Sequence, residues 1–103
     1  MRYSHDEIAE IATRYQTLKC KKKLKGVERI AYNIKKLCEE VGELAEACMN
    51  GNIAREELLL EIGDVQIILM VIANAFGVRA DECAEKKIGA LLKRIERLKK
   101  ERG

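Results

Sequence analysis

Two acidic clusters stand out in a chain of 103 residues: Glu39-Glu40-Val41-Gly42-Glu43 and, after 17 intervening residues, Glu61-Ile62-Gly63-Asp64. Glu40 and Glu43 are three residues apart, as are Glu61 and Asp64, so on helices each pair shares a face. At 100° per residue, Lys36, Glu39, Glu40 and Glu43 fall within an arc of about 100°. Acidic helix residues are most often solvated. Glu61 and Asp64 are different, because the surrounding run from Leu58 to Ile72 is otherwise almost entirely apolar. Carboxylates in such a helix need cations, hydrogen bonds or a water-filled cleft, or must become neutral.

If the two acidic helices pack antiparallel through a short Gly51-Asn52 connection, Glu40 and Glu43 face Glu61 and Asp64 across one groove. Four carboxylates with no arginine among them repel one another, and a hard divalent cation resolves the repulsion. Oxygen-only ligation favours Mg²⁺, with Mn²⁺ as a substitute, over zinc. Carboxylate-held magnesium shares its remaining positions with water and substrate phosphates, and Lys36, Lys87 and Arg94 are the cations that could steady a polyphosphate. A buried ion-pair network is the structural alternative.

The elements that position these groups are helices, because the chain has no proline to interrupt them. Ser4-His5-Asp6-Glu7 has capping-box spacing with Tyr3 and Ile8 as a staple, which opens a first helix running to about Leu18. His5 reads as a surface residue beside that cap. A solvated lysine-rich connector through Gly26 follows. A second helix over Val27–Asn50 carries apolar residues at Ile30, Ile34, Leu37, Val41, Leu44 and Cys48, with Gly51 as its cap. Asn52 caps a third helix ending near Phe76, and Asp81 caps a fourth whose Ile88, Leu91, Leu92, Ile95 and Leu98 face inward. The third helix, apolar on nearly every side, must be buried all round, and four helices of this size cannot do that alone. The expectation is therefore one all-α domain over 1–103, a four-helix bundle assembled as a dimer or a dimer of dimers.

Composition narrows the classes further. A net charge of +3 is too weak to indicate nucleic acid, although five lysines fall between Lys19 and Lys25. Cys20, Cys38, Cys48 and Cys83 form no CxxC pair and there is one histidine, which points to reduced thiols rather than a zinc site or disulfide frame. The start lacks a signal-peptide apolar run, and Leu58 to Ile72 reads as too short and too acidic for a membrane span. A cytoplasmic protein is expected.

The spacing Glu40-x-x-Glu43, then Glu61-x-x-Asp64, set in Lys35-Lys36-Leu37-Cys38-Glu39-Glu40-Val41-Gly42-Glu43-Leu44 and Glu61-Ile62-Gly63-Asp64-Val65, resembles the MazG-type branch of the all-α nucleoside triphosphate pyrophosphohydrolases. The resemblance covers roughly Ile34 to Arg94, including Ala73-Asn74-Ala75-Phe76-Gly77-Val78. It implies Mg²⁺-dependent cleavage of a nucleoside triphosphate between the α- and β-phosphates, giving a monophosphate and pyrophosphate for housecleaning of the nucleotide pool. It also implies metal-ligand roles for Glu40, Glu43, Glu61 and Asp64. Glu39, which shares their face, and Glu40 are the candidates to act on the attacking water, and Lys36, Lys87 and Arg94 to steady the phosphates. Glu39 is alternatively a solvated neighbour. With no Trp and one Phe, the base-stacking aromatics of some dCTP-hydrolysing relatives are not evident here. A phosphoribosyl-ATP pyrophosphohydrolase, which shares the fold and acidic groove, is the enzymatic alternative. A non-catalytic helical dimeric adaptor is the other.

Overall fold

The computed structural model describes residues 2–103, which form four α-helices and no strand: α1 (His5–Cys20), α2 (Gly26–Met49), α3 (Arg55–Ala75) and α4 (Ala80–Arg102). The opening cap is the one the sequence predicts. The Glu7 N–H donates to Ser4 Oγ at 3.1 Å, and the Ser4 N–H donates back to the Glu7 carboxylate at 3.0 Å. These bonds with Ser4 hold the Glu7 carboxyl below its ordinary range. The close of α3 is also local in origin. Gly77 adopts φ 72°, its N–H donates to the Asn74 carbonyl and the Val78 N–H to the Ala73 carbonyl, both at 3.0 Å. This is a Schellman ending, and it needs the left-handed conformation that glycine takes without strain.

Three expected caps are not where the spacing put them. Asn50 closes α2 rather than Gly51, with its N–H on the Glu46 and Ala47 carbonyls. Asn52 does not cap α3; its N–H donates to Asn50 Oδ1 at 3.1 Å, and Ala54 precedes the helix with no side-chain cap. Asp81 lies inside the first turn of α4, gripped by Arg79 Nε and Nη2 at 3.0 Å each. That two-pronged bond keeps the Asp81 carboxyl below its ordinary range. The acceptor for α4 comes instead from the other end of the chain. His5 is buried, not a surface residue, and its Nε2 accepts the Ala80 N–H at 2.9 Å. Packing of the start of α1 against the start of α4 supplies an acceptor that no local spacing could reveal.

The centre of the bundle is α3, against which α1 and α2 both pack, while α4 packs on α3 and touches α1 through the His5 bond. The buried apolar set is small: Ala9, Leu24, Ile68, Met70, Val71 and Ala73. Beside it, Gln16 Nε2 donates to Asn33 Oδ1 at 2.6 Å and Asn33 Nδ2 donates to the Arg29 carbonyl at 2.8 Å. These amides tie α1 to α2 and satisfy each other out of water.

Leu60 is 71% exposed and Ile62 46%, so the single chain leaves part of α3 uncovered, as expected of four helices alone. A different burial expectation fails: the apolar stripe of α4 does not face inward, since Ile88, Leu91, Leu92, Ile95 and Leu98 are all between 40% and 58% exposed. The reason is geometric. Contact with α3 lies where Ala80, Asp81 and Ala84 border Gln66, Leu69 and Met70, and no residue of α4 is buried. The radius of gyration is accordingly 17.0 Å, against about 13 Å for a compact domain of this length. As a helix of 21 residues with a window of mean hydropathy 1.8, α3 is long and apolar enough to cross a membrane by length and composition, contrary to the sequence reading. Its packing against both α1 and α2 makes it the central helix of a bundle.

Replacing His5 by Ala leaves the Ala80 N–H without its acceptor and opens a gap beneath the α4 start. We expect a loss of about 1–2 kcal/mol in urea unfolding. Wild-type stability in His5→Ala would show that this bond does not hold α4.

Candidate active site

Antiparallel packing of α2 on α3 sets a regular register of polar residues down their seam. Glu43 comes beside Glu61, Glu40 beside Asp64, and Arg29 bonds Asn74 at the far end. Each step of three or four residues along one helix is matched by the same step backwards along the other, so the spacing noted in the sequence becomes a groove.

Carboxylate oxygens of Glu40, Glu43 and Glu61 all lie within 4.8 Å of one another. At that separation each like-charged pair costs on the order of 1–3 kcal/mol, least where Glu43 is exposed. Glu40 and Glu61 are half-buried, and Oε2 of each is sealed from solvent without a hydrogen-bond partner. Burial raises the Glu40 carboxyl above its ordinary range; the Glu43 and Asp64 charges add to the rise and Lys36 opposes it. Orphaned buried carboxylate oxygens converging from two helices are a donor set that fits a hard divalent cation. Asp64 borders the same cleft but is itself exposed, so the half-buried pair is Glu40 and Glu61 rather than the expected Glu61 and Asp64.

Other anticipated residues divide. Lys36 reaches Glu39 at 3.6 Å and Glu40 at 3.8 Å, which places its ammonium at the edge of the groove. Glu39 is held by that pairing and stays half-exposed, outside the converging trio. Lys87 and Arg94 are not brought to the groove within the chain, because both lie on the exposed α4, which packs on α3 and touches α1 at its start.

The structure adds a feature that the sequence reading missed. A cavity of about 660 Å³ extends from Lys36, Glu40 and Asp64 to α1, walled by Ile8, Ile11, Ala12, Ile67 and Ile68. Tyr3, Tyr15 and Tyr32 also line it, and Lys19 Nζ lies 6.0 Å from the centre of the Tyr15 ring. Burial, followed by the neighbouring Cys20 thiol, raises the Tyr32 phenol above its ordinary value. A planar apolar group would find aromatic faces here, so the scarcity of Trp and Phe does not leave the groove without them. The signal in the sequence was the helical spacing of Ile8, Ile11, Tyr15 and Lys19, which says they share a face without saying what that face covers. Ile68 is both core and cavity wall.

Residues 6–87 match the phosphoribosyl-ATP pyrophosphohydrolase family. The matched span takes in α1, α2, α3 and the first two turns of α4, and so contains every carboxylate of the groove and Lys87 but not Arg94. That family lies in the same all-α superfamily as the MazG-type enzymes, so the match supports the broader resemblance and the alternative rather than the MazG-type branch. No curated protein and no solved structure matches the chain.

The folded chain holds the Glu40 proton more tightly than the unfolded chain does, so ionised Glu40 opposes folding. The penalty is absent below the ordinary carboxylate range and grows as pH rises through it toward the raised value. In EDTA, Glu40→Gln should therefore be more stable than the wild type at about pH 7.5, with the difference shrinking toward zero near pH 4.5. A difference that does not change with pH would overturn this account of the groove.

Proposed function

The chain belongs to the phosphoribosyl-ATP pyrophosphohydrolase family, whose members are hydrolases of acid anhydrides in nucleotide-like molecules, and from that premise we propose that it cleaves phosphoribosyl-ATP between the α- and β-phosphates, releasing pyrophosphate. The observation that carries the reading is the union of the Glu40, Glu43 and Glu61 cluster with a tyrosine-lined cavity of about 660 Å³. The sequence reading ranked general nucleoside triphosphates first and phosphoribosyl-ATP second. The family match is the reason to reverse that order.

In this reading Glu40, Glu43, Glu61 and Asp64 hold Mg²⁺, with Mn²⁺ as a substitute, which supplies charge neutralisation on the phosphate oxygens. The tyrosines and Ile67 bind the nucleoside part and exclude water from it. Lys36 holds one phosphate oxygen while keeping Glu39 and Glu40 oriented, and Glu39 or Glu40 takes the proton of the attacking water as the bridging P–O bond breaks. Lys87 and Arg94 join the phosphates only through a second copy of the chain. Support for a homodimer or homotetramer is the apolar surface of α3 and α4 left open by the single chain, including Leu60, Ile62, Leu91 and Leu92. A cytoplasmic location, free of membrane and nucleic-acid partners, belongs to the same reading.

Pyrophosphate release should be measured from phosphoribosyl-ATP and from a panel of ribo- and deoxyribonucleoside triphosphates, with and without Mg²⁺. We expect Mg²⁺-dependent release with phosphoribosyl-ATP as the best substrate, and a fall of about 100-fold or more in Glu61→Gln and Asp64→Asn with the helical spectrum retained. Release from a simple triphosphate but not from phosphoribosyl-ATP returns the reading to the MazG-type activity, and no release from any substrate ends both. For the assembly, light scattering at micromolar concentration should give at least twice the 11.7 kDa chain mass; a monomer mass overturns it.

A further inference from the structure

The residues of α1 that wall the tyrosine cavity repeat at Ile8, Ile11, Tyr15 and Lys19; those on the opposite side, at Glu10, Thr13, Arg14 and Thr17, line a second cavity of about 720 Å³. At 100° per residue the two sets are centred on roughly opposite sides of the helix. Lys23 and Arg29 on the α2 side, and Asn74 at the end of α3, complete this second cavity. The triphosphate reading makes no use of it.

Arg29 is the half-buried cation of this cavity. Its Nη2 donates to Thr13 Oγ1 at 3.1 Å and to Asn74 Oδ1 at 3.2 Å, both neutral acceptors. Its Nε is sealed from solvent with no hydrogen-bond partner, and among the described residues no carboxylate lies within 4.0 Å of the guanidinium. A guanidinium cannot shed its proton to escape this environment, so a half-buried one without a counter-ion is electrostatically incomplete. Arg14 and Lys23 border the same space and likewise pair with no carboxylate. Asn74, with its oxygen taken by Arg29, keeps an amide NH₂ to donate. Asp6 and Glu10 are also on the rim, both exposed, so three cations face two carboxylates and the surplus positive charge is one. That balance suits a single phosphate group rather than a polyphosphate.

We propose that the cavity around Arg29 binds a phosphate oxyanion, either inorganic phosphate or the phosphate of a monoester, separately from the carboxylate groove. Arg29 contributes the charge, Asn74 an amide donor, and Arg14 and Lys23 draw the anion in. Occupancy would clamp α1, α2 and α3 together at the end of the seam away from Glu43 and Glu61.

The test is a titration of the ¹⁵N-labelled protein in EDTA, which removes divalent cations from the carboxylate groove, at constant ionic strength set with chloride. Inorganic phosphate and ribose 5-phosphate are the two probes. We expect saturable shifts of the Asn74 side-chain NH₂ and the Arg29 Nε–H, and at least about tenfold weaker binding in Arg29→Gln. Tighter binding of ribose 5-phosphate identifies a monoester as the ligand; equal binding identifies free phosphate. If Arg29→Gln loses the folded spectrum, the exposed pair Arg14→Gln with Lys23→Gln carries the test, with an expected weakening of about threefold or more. Shifts that do not saturate, shifts reproduced by added chloride, or an affinity unchanged in the folded variants would overturn the proposal. Because binding is read without turnover, its outcome is independent of whether phosphoribosyl-ATP is cleaved.

Discussion

Like charge held together in a half-buried seam is the constraint around which the structure is arranged. Glu40, Glu43 and Glu61 converge to within 4.8 Å, with Asp64 beside them, and two of their oxygens are sealed from solvent without a donor. Nothing about helix packing requires this; apolar residues of similar volume would remove the repulsion. The convergence persists because it follows from the register of two long helices joined by a short link. Apolar side chains on the remaining faces of α2 and α3 set how closely those helices approach. The seam is thus least favourable by itself at the place where the proposed chemistry lies.

Lying across that seam, α1 serves it on two sides. Its apolar and aromatic face closes the tyrosine cavity beside the carboxylates, and its polar face meets Arg29 and Asn74. Rotation about its axis is resisted by the Gln16–Asn33 amide pair, whose partners would be stranded in an apolar interior if the helix turned. His5 at one end fixes the start of α4. Polar contacts of high sequence separation therefore do the positioning, while a small apolar core supplies the cohesion.

That core is modest for a chain of which 48% is hydrophobic. Much of the apolar material stands on the outer side of α3 and along α4, where a single chain cannot cover it. Small domains bury a smaller fraction of their surface than large ones, and a second copy would extend the core at the place where this one ends. The proposed assembly and the proposed phosphate roles of Lys87 and Arg94 have the same origin, namely a fourth helix that leaves its own bundle.

The sequence by itself determined the number and type of elements, the capping box at Ser4, the stop at Gly77 and the pairing of the acidic steps across α2 and α3. Each of these depends on residues within about one helical turn of one another or on a periodicity that survives packing. It did not determine which apolar faces are covered. Periodicity says that Leu91, Leu92 and Ile95 share a side, but whether that side meets its own chain depends on the direction α4 takes after Gly77. Asn52 is not a cap because α3 begins only at Arg55, with Ala54 before it, and Asp81 is not because the acceptor of the Ala80 N–H is a histidine 75 residues away, visible only in space. The tyrosine cavity and the unpaired Arg29 were hidden for the same reason. Their chemistry belongs to surfaces formed when α1 meets α2 and α3, and only tertiary structure decides what those surfaces enclose.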